Sequence, residues 1–181
     1  MNSFQEIANF VWSIADEVLR DDFKRGKYPD VILPFTVLRR LDCVLAPTKE
    51  KVLRRYAELQ ARGLQNVDGQ LRRAAGHSFY NTSRFDFVSL LDDPKNIGRN
   101  LRTWISGFSE NMRDVIDRFK LRSTIDTLEE KELLFRLVQK FAGADLHPAK
   151  VDNHTMGTIF EELIRRFNEQ TNENPGEHFT P

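Results

Sequence analysis

The stretch Met156-Gly157-Thr158-Ile159-Phe160-Glu161-Glu162-Leu163-Ile164-Arg165-Arg166-Phe167 decides the fold. Its apolar residues Met156, Ile159, Phe160, Leu163, Ile164 and Phe167 recur at the three-and-four spacing of one helix face. Asp152 or Asn153 caps this helix. Glu161 and Glu162 stand four residues before Arg165 and Arg166, the spacing of intrahelical ion pairs, which reads as an exposed charged face.

Working outward from it, the same periodicity recurs almost everywhere. Toward the front, residues 129–142 read as a helix through Leu134, Leu137, Val138 and Phe141, closed by Gly143. Ser109-Glu110-Asn111 opens another, with Met112, Val115, Ile116 and Phe119 on its face. Pro94 begins one that reaches Ile105. Residues 63–93 are less regular. They hold a short helix near 70–75 and an aromatic stretch at Phe79, Tyr80, Phe85 and Phe87, and residues 85–88 read as loop or short helix in preference to strand. Pro47 and Thr48 open a helix through Arg62 that Gly63 ends. Residues 31–45 form another, with Val37, Leu38, Leu41, Val44 and Leu45 inward and Pro34 in its first turn. At the front, Ser3 caps a helix whose face is Phe4, Ile7, Ala8, Val11, Ile14, Ala15 and Val18. The result is an all-α helical bundle over residues 1–170. From Glu169 to Gly176 no apolar residue occurs, which reads as linker or loop. Thr180-Pro181 then looks like the start of a new helix.

A chain of 181 residues can bury a core without covalent staples. Lys+Arg and Asp+Glu are 27 each, a formal net charge of +0 that excludes a polycation but not a local basic face. Between Lys49 and Arg73 seven bases face three acids, whereas residues 125–181 carry six bases and eleven acids. Arg supplies 18 of the 27 bases, and guanidinium pairs with phosphate bidentately. Arg54, Arg55, Arg62, Arg72 and Arg73 are therefore the candidate contacts to a nucleic-acid backbone. A solvated helix face with internal ion pairs is the competing reading.

Catalytic patterns are missing. There is no Gly-x-Ser-x-Gly elbow, no phosphate loop and no Gly-x-Gly pair. The one cysteine, Cys43, sits on a core helix and excludes a disulfide framework. His77, His147, His154 and His178 are scattered without metal-ligand spacing. A metal-dependent hydrolase built on His147, Asp152, His154 and Glu161 is a poor third reading. Trp12, Trp104 and most Phe lie on helical stripes and read as core. No membrane-length apolar run and no signal peptide occur, so a cytoplasmic location is expected.

Residues 156–169 together with Gly176-Glu177-His178-Phe179-Thr180-Pro181 closely resemble the modification (M) subunit of type I restriction–modification systems, at the junction between its helical N-terminal domain and its methyltransferase domain. The front resembles it too: Trp12-Ser13-Ile14-Ala15-Asp16-Glu17-Val18-Leu19-Arg20, then Tyr28-Pro29, Leu33-Pro34-Phe35 and Leu38-Arg39-Arg40-Leu41. The resemblance implies a truncated protein, with residues 171–181 as linker and first residues of an α/β methyltransferase domain. It implies that Gly176, Glu177, His178, Phe179, Thr180 and Pro181 help bound an S-adenosylmethionine site, although His178 stands where many members carry Phe. The family's glycine-rich cofactor loop and its Asn-Pro-Pro-Tyr/Phe motif, which would meet a flipped base, are missing from the sequence. The fragment is therefore expected neither to bind the cofactor well nor to methylate DNA. The parent would transfer a methyl group to the exocyclic amine of adenine. Its implied partners are a specificity subunit, a restriction subunit, a second M subunit and double-stranded DNA. The alternative from another class is a free-standing helical interaction adaptor.

Overall fold

The computed structural model describes residues 3–172. The chain runs α1 (Ser3–Ile14), a π-helical turn (Ala15–Leu19), α2 (Tyr28–Leu45), α3 (Lys49–Ala61), α4 (Asp68–Ala75), α5 (Phe87–Leu90), α6 (Ile97–Ser106), α7 (Glu110–Asp117), α8 (Leu121–Glu130), α9 (Leu134–Ala142) and α10 (Asn153–Asn172). Short 3-10 turns at Arg25–Lys27, Ala46–Thr48 and Pro94–Asn96 lead into α2, α3 and α6. Among the described residues the one strand-like pairing is an antiparallel bridge between Asn81 and Phe108.

Helices α1, α2, α9 and α10 form the centre of the bundle. Their stripes interlock through aromatic rings: Trp12 meets Phe167 at 4.9 Å, joining α1 to α10, and Phe35 meets Phe141 at 5.9 Å, joining α2 to α9. Such pairs add about 0.5–1.5 kcal/mol beyond the area they bury. A second aromatic group sits beside them, with Trp104 fully buried between the edges of Phe87 and Phe108. It seats α5 and α6 against α9. Four-residue α5 stands because its N-terminus carries a reciprocal cap: Ser89 N–H donates to Asp86, and Asp86 N–H donates to the Ser89 hydroxyl.

Helices α3 and α4 pack on each other and form an arm at one side of the bundle. Three hydrogen bonds fix the arm, two at its base and one at the start of α4. Lys49 Nζ donates to the Ser83 carbonyl (2.8 Å), Thr48 Oγ1 to the Ala75 carbonyl (2.9 Å) and the Tyr80 hydroxyl to Asp68 (2.8 Å). Gly107 lets the 81–83 segment close on α6, because a Cβ there would lie 2.6 Å from Asn81 Oδ1 and 3.0 Å from the Ser83 backbone nitrogen.

The structure corrects the sequence reading at several elements. Helix α2 begins at Tyr28, three residues before the expected start, so Pro34 lies inside it, where it cannot donate to the Asp30 carbonyl. Residues 129–142 are not one helix. Helix α8 ends at Glu130, Glu132 takes a left-handed φ of 58°, and α9 starts afresh at Leu134. Helix α8 itself is absent from the sequence reading. Of the face expected on α7, only Ile116 is buried, while Val115 and Phe119 are 39% and 38% exposed. Phe119 falls beyond the helix end, so the periodicity that aligned it no longer applies. On α10 the buried seam is Met156, Ile159, Leu163 and Phe167, and Ile164 is 44% exposed. At about 100° per residue, Ile164 has turned past the edge of that seam. Residues 169–172, read as linker, continue α10, where an Arg165–Glu169 ion pair (2.5 Å) supports the last turns. The expected start of an α/β domain lies outside the described residues.

Candidate functional site

The five arginines singled out in the sequence do not share one site. Lys51, Arg54, Arg55 and Glu58 follow the i, i+3, i+4, i+7 rule along α3 and line one cleft, which α4 completes with Gln70, Arg73 and Ala74. Arg54, Arg55 and Arg73 are thus brought together, and Lys51, counted in the basic segment but not singled out, joins them. Arg54 and Arg73 are exposed, and among the described residues neither side chain makes a hydrogen bond or ion pair. Arg55 is half-buried. Its Nη1 donates to Glu58 at 3.1 Å, and its Nη2 donates to Gln70 Oε1. Sequence reasoning missed Gln70. Its signal was position alone, on the face of α4 shared with Arg73 and Ala74.

Arg62 and Arg72 do not join this cleft. Arg62 is the C-cap of α3, at the arm's tip. Arg72 pairs with Asp68 at 2.8 Å and lines a neighbouring depression with Tyr56, Tyr80 and Arg113. There burial, reinforced by the hydrogen bond to Asp68, pushes the Tyr80 hydroxyl up to about 12. Lys49 lines neither the cleft nor this depression. Burial lowers its pKa, and its ammonium is spent on the Ser83 carbonyl.

Arg39 and Arg40 turn inward from α2. Arg39 Nε donates to the Ala144 carbonyl (2.9 Å), its Nη2 to the Ala142 carbonyl (3.1 Å) and its Nη1 to Asp42 (2.7 Å). Arg40 Nη1 reaches the carbonyls of Leu146 (2.7 Å) and Val151 (2.6 Å), and its Nη2 reaches Asn153 (3.0 Å). The two guanidiniums thereby satisfy the Ala142 carbonyl in the last turn of α9 and three carbonyls of the connection to α10, those of Ala144, Leu146 and Val151. Asp42 accepts a further bond from Phe87 N–H at 3.2 Å, which ties α2 to α5. Burial raises the Asp42 carboxyl pKa, a shift opposed by Arg39 and the Phe87 N–H. Burial likewise raises the thiol of Cys43, which is fully covered.

On α10 the expected intrahelical pairing is present: Glu161, Arg165 and Glu169 are exposed, whereas Glu162 and Arg166 are largely covered. Glu162 is largely buried between Arg165 (2.6 Å) and Arg166 (2.7 Å), and Arg166 also reaches Gln5 of α1 at 3.2 Å. Hydrogen bonds from both arginines hold the Glu162 carboxyl down at about 2. The hydrolase reading finds no support. His147 Nδ1 lies 2.7 Å from Asp145, Asp152 is occupied in capping α10 through Thr155 N–H (2.7 Å), and no group of three or more potential metal ligands occurs among the described residues. Among them, too, no helix is long and apolar enough to cross a membrane. Gly176, Glu177, His178, Phe179, Thr180 and Pro181 lie outside the described residues.

No curated protein and no solved structure matches the chain. A family model does match, covering residues 7–141 and therefore nearly all of the stretch from α1 to α9, together with both the inward arginines and the basic arm. That model is the HsdM N-terminal domain, and the chain belongs to this family: it is the N-terminal domain of the M subunit of a type I restriction–modification system.

Proposed function

We propose that this domain is the assembly and DNA-clamping part of an S-adenosylmethionine-dependent, adenine-specific DNA methyltransferase subunit, and that it holds backbone without carrying out chemistry. The observation that carries the reading is the convergence of Lys51, Arg54, Arg55 and Arg73 on one cleft in a molecule whose formal net charge is +0. Cations on two packed helices, two of them arginines with no partner among the described residues, match the spaced negative charge of a duplex backbone. On this reading the contact positions DNA and a separate specificity subunit reads its sequence. The bundle faces away from the arm offer surface to that subunit, to a restriction subunit and to a second M subunit.

S-adenosylmethionine supplies the methyl group in such an enzyme. On this reading Gly176, Glu177, His178, Phe179, Thr180 and Pro181 help bound its site, and the described helices take no part in holding it. On this reading the protein works in the cytoplasm, beside the DNA it modifies.

The test is DNA affinity of the assembled methyltransferase carrying Arg54→Ala and Arg73→Ala. A loss of about tenfold is expected, equal on a cognate and an unrelated duplex. A loss confined to the cognate duplex, or none, would contradict the reading.

A further inference from the structure

We propose that Gln70 and Glu58 set the affinity of the α3–α4 cleft for a phosphodiester, Gln70 by aiming Arg55 and Glu58 by competing for it. The inference rests on the backbone-contact reading of the arm. Arg55 differs from its neighbours in the cleft because its guanidinium is already held at two points. The two holders differ in kind.

Gln70 is neutral. Its Oε1 accepts from Arg55 Nη2 across the α3–α4 contact, so it fixes the plane of the guanidinium without cancelling its charge. A guanidinium has five N–H donors in a rigid fork, and two are used here, leaving three for an incoming anion. Fixing the fork beforehand removes part of the ordering cost that a free arginine meets on binding. Gln70 is therefore a positioning residue.

Glu58 carries a charge. Its carboxylate lies 3.1 Å from Arg55 Nη1, with 58% of its side chain exposed. An ion pair this open is weak and screened by salt. A phosphate can take its place at little cost, but Glu58 still repels that phosphate from about one helical turn away. It acts as an internal stand-in for the ligand and holds the cleft below its full affinity. Lys51, Arg54 and Arg73 make no ion pair with Glu58, which is the one acid lining the cleft among the described residues.

The test uses the assembled methyltransferase and a duplex unrelated to its recognition site, followed by fluorescence anisotropy between about 50 and 200 mM salt. Gln70→Met keeps the volume and removes the acceptor. It is expected to weaken binding about three- to fivefold with the salt slope and Tm unchanged, since charge and packing are both kept. Glu58→Gln is expected to tighten binding several-fold and to steepen the slope by about one, as Arg55 becomes a full phosphate contact. A purely structural role for Gln70 would move Tm and not this affinity. Wild-type affinity in either single variant, with Arg54→Ala/Arg73→Ala still weakened, overturns this inference alone. Wild-type affinity in that double variant overturns the backbone-contact reading and this inference with it.

Discussion

Arg39-Arg40 and Arg54-Arg55 are the same dipeptide on amphipathic helices, yet one pair is buried and the other faces a cleft. The sequence alone does not separate them. What buries the first pair is a set of carbonyls more than a hundred residues away, at Ala142, Ala144, Leu146 and Val151. Arg40→Lys puts this to the test, because an ammonium has one nitrogen where the guanidinium uses Nη1 for the Leu146 and Val151 carbonyls and Nη2 for Asn153. We expect a loss of about 2–3 kcal/mol in chemical denaturation, with no change in DNA affinity beyond that of stability. Glu162 offers a second residue-scale test. Its folded pKa of about 2 lies below the ordinary value of 4.5. Its contribution to stability is therefore complete above the unfolded pKa and is lost as pH falls from there toward 2. Glu162→Gln should lower Tm at neutral pH and flatten the acid side of the Tm–pH curve. An acid limb as steep as that of the unaltered protein would show that the Arg165–Glu162–Arg166 network contributes nothing measurable.

Two helix ends built alike explain what was legible among the elements. After α3, Gly63 has φ 68° and Leu64 N–H bonds back to the Leu59 carbonyl. After α8, Glu132 has φ 58° and Leu133 N–H bonds back to the Leu128 carbonyl. Both are Schellman-type caps. The first is visible in the sequence because glycine occupies the left-handed position, and the second is hidden because glutamate does. That substitution is why 129–142 reads as a single helix. Helix α8 was missed for a related reason: its buried set is only Leu121, Ile125 and Leu128, spaced among Ser123, Thr124 and Thr127. Its start is marked by Lys120 at φ 53°, again without a glycine. Glu132→Gly should relieve the left-handed strain and raise stability by about 0.5–1 kcal/mol in urea titration. Destabilisation on that change would mean that the Glu132 side chain contributes something the backbone geometry does not explain.

At the scale of the molecule, the all-helical architecture was readable because stripes at three-and-four spacing recur on α1, α2, α9 and α10, the helices at its centre. The separation of a basic arm from that bundle was half readable. The excess of bases between Lys49 and Arg73 is plain in the sequence. How they divide is not, since Arg72 and Arg73 are adjacent in α4 yet line different depressions. Membership in the HsdM N-terminal family places the arm and the inward arginines within one matched unit, residues 7–141. The decisive question for this domain is whether its arm meets a DNA backbone. The most direct measurement is the dependence of log affinity on log salt for the assembled methyltransferase with Arg54→Ala and Arg73→Ala. A slope shallower by about two is predicted, because each arginine removed leaves about one phosphate un-neutralised. A slope equal to that of the unaltered enzyme would contradict it.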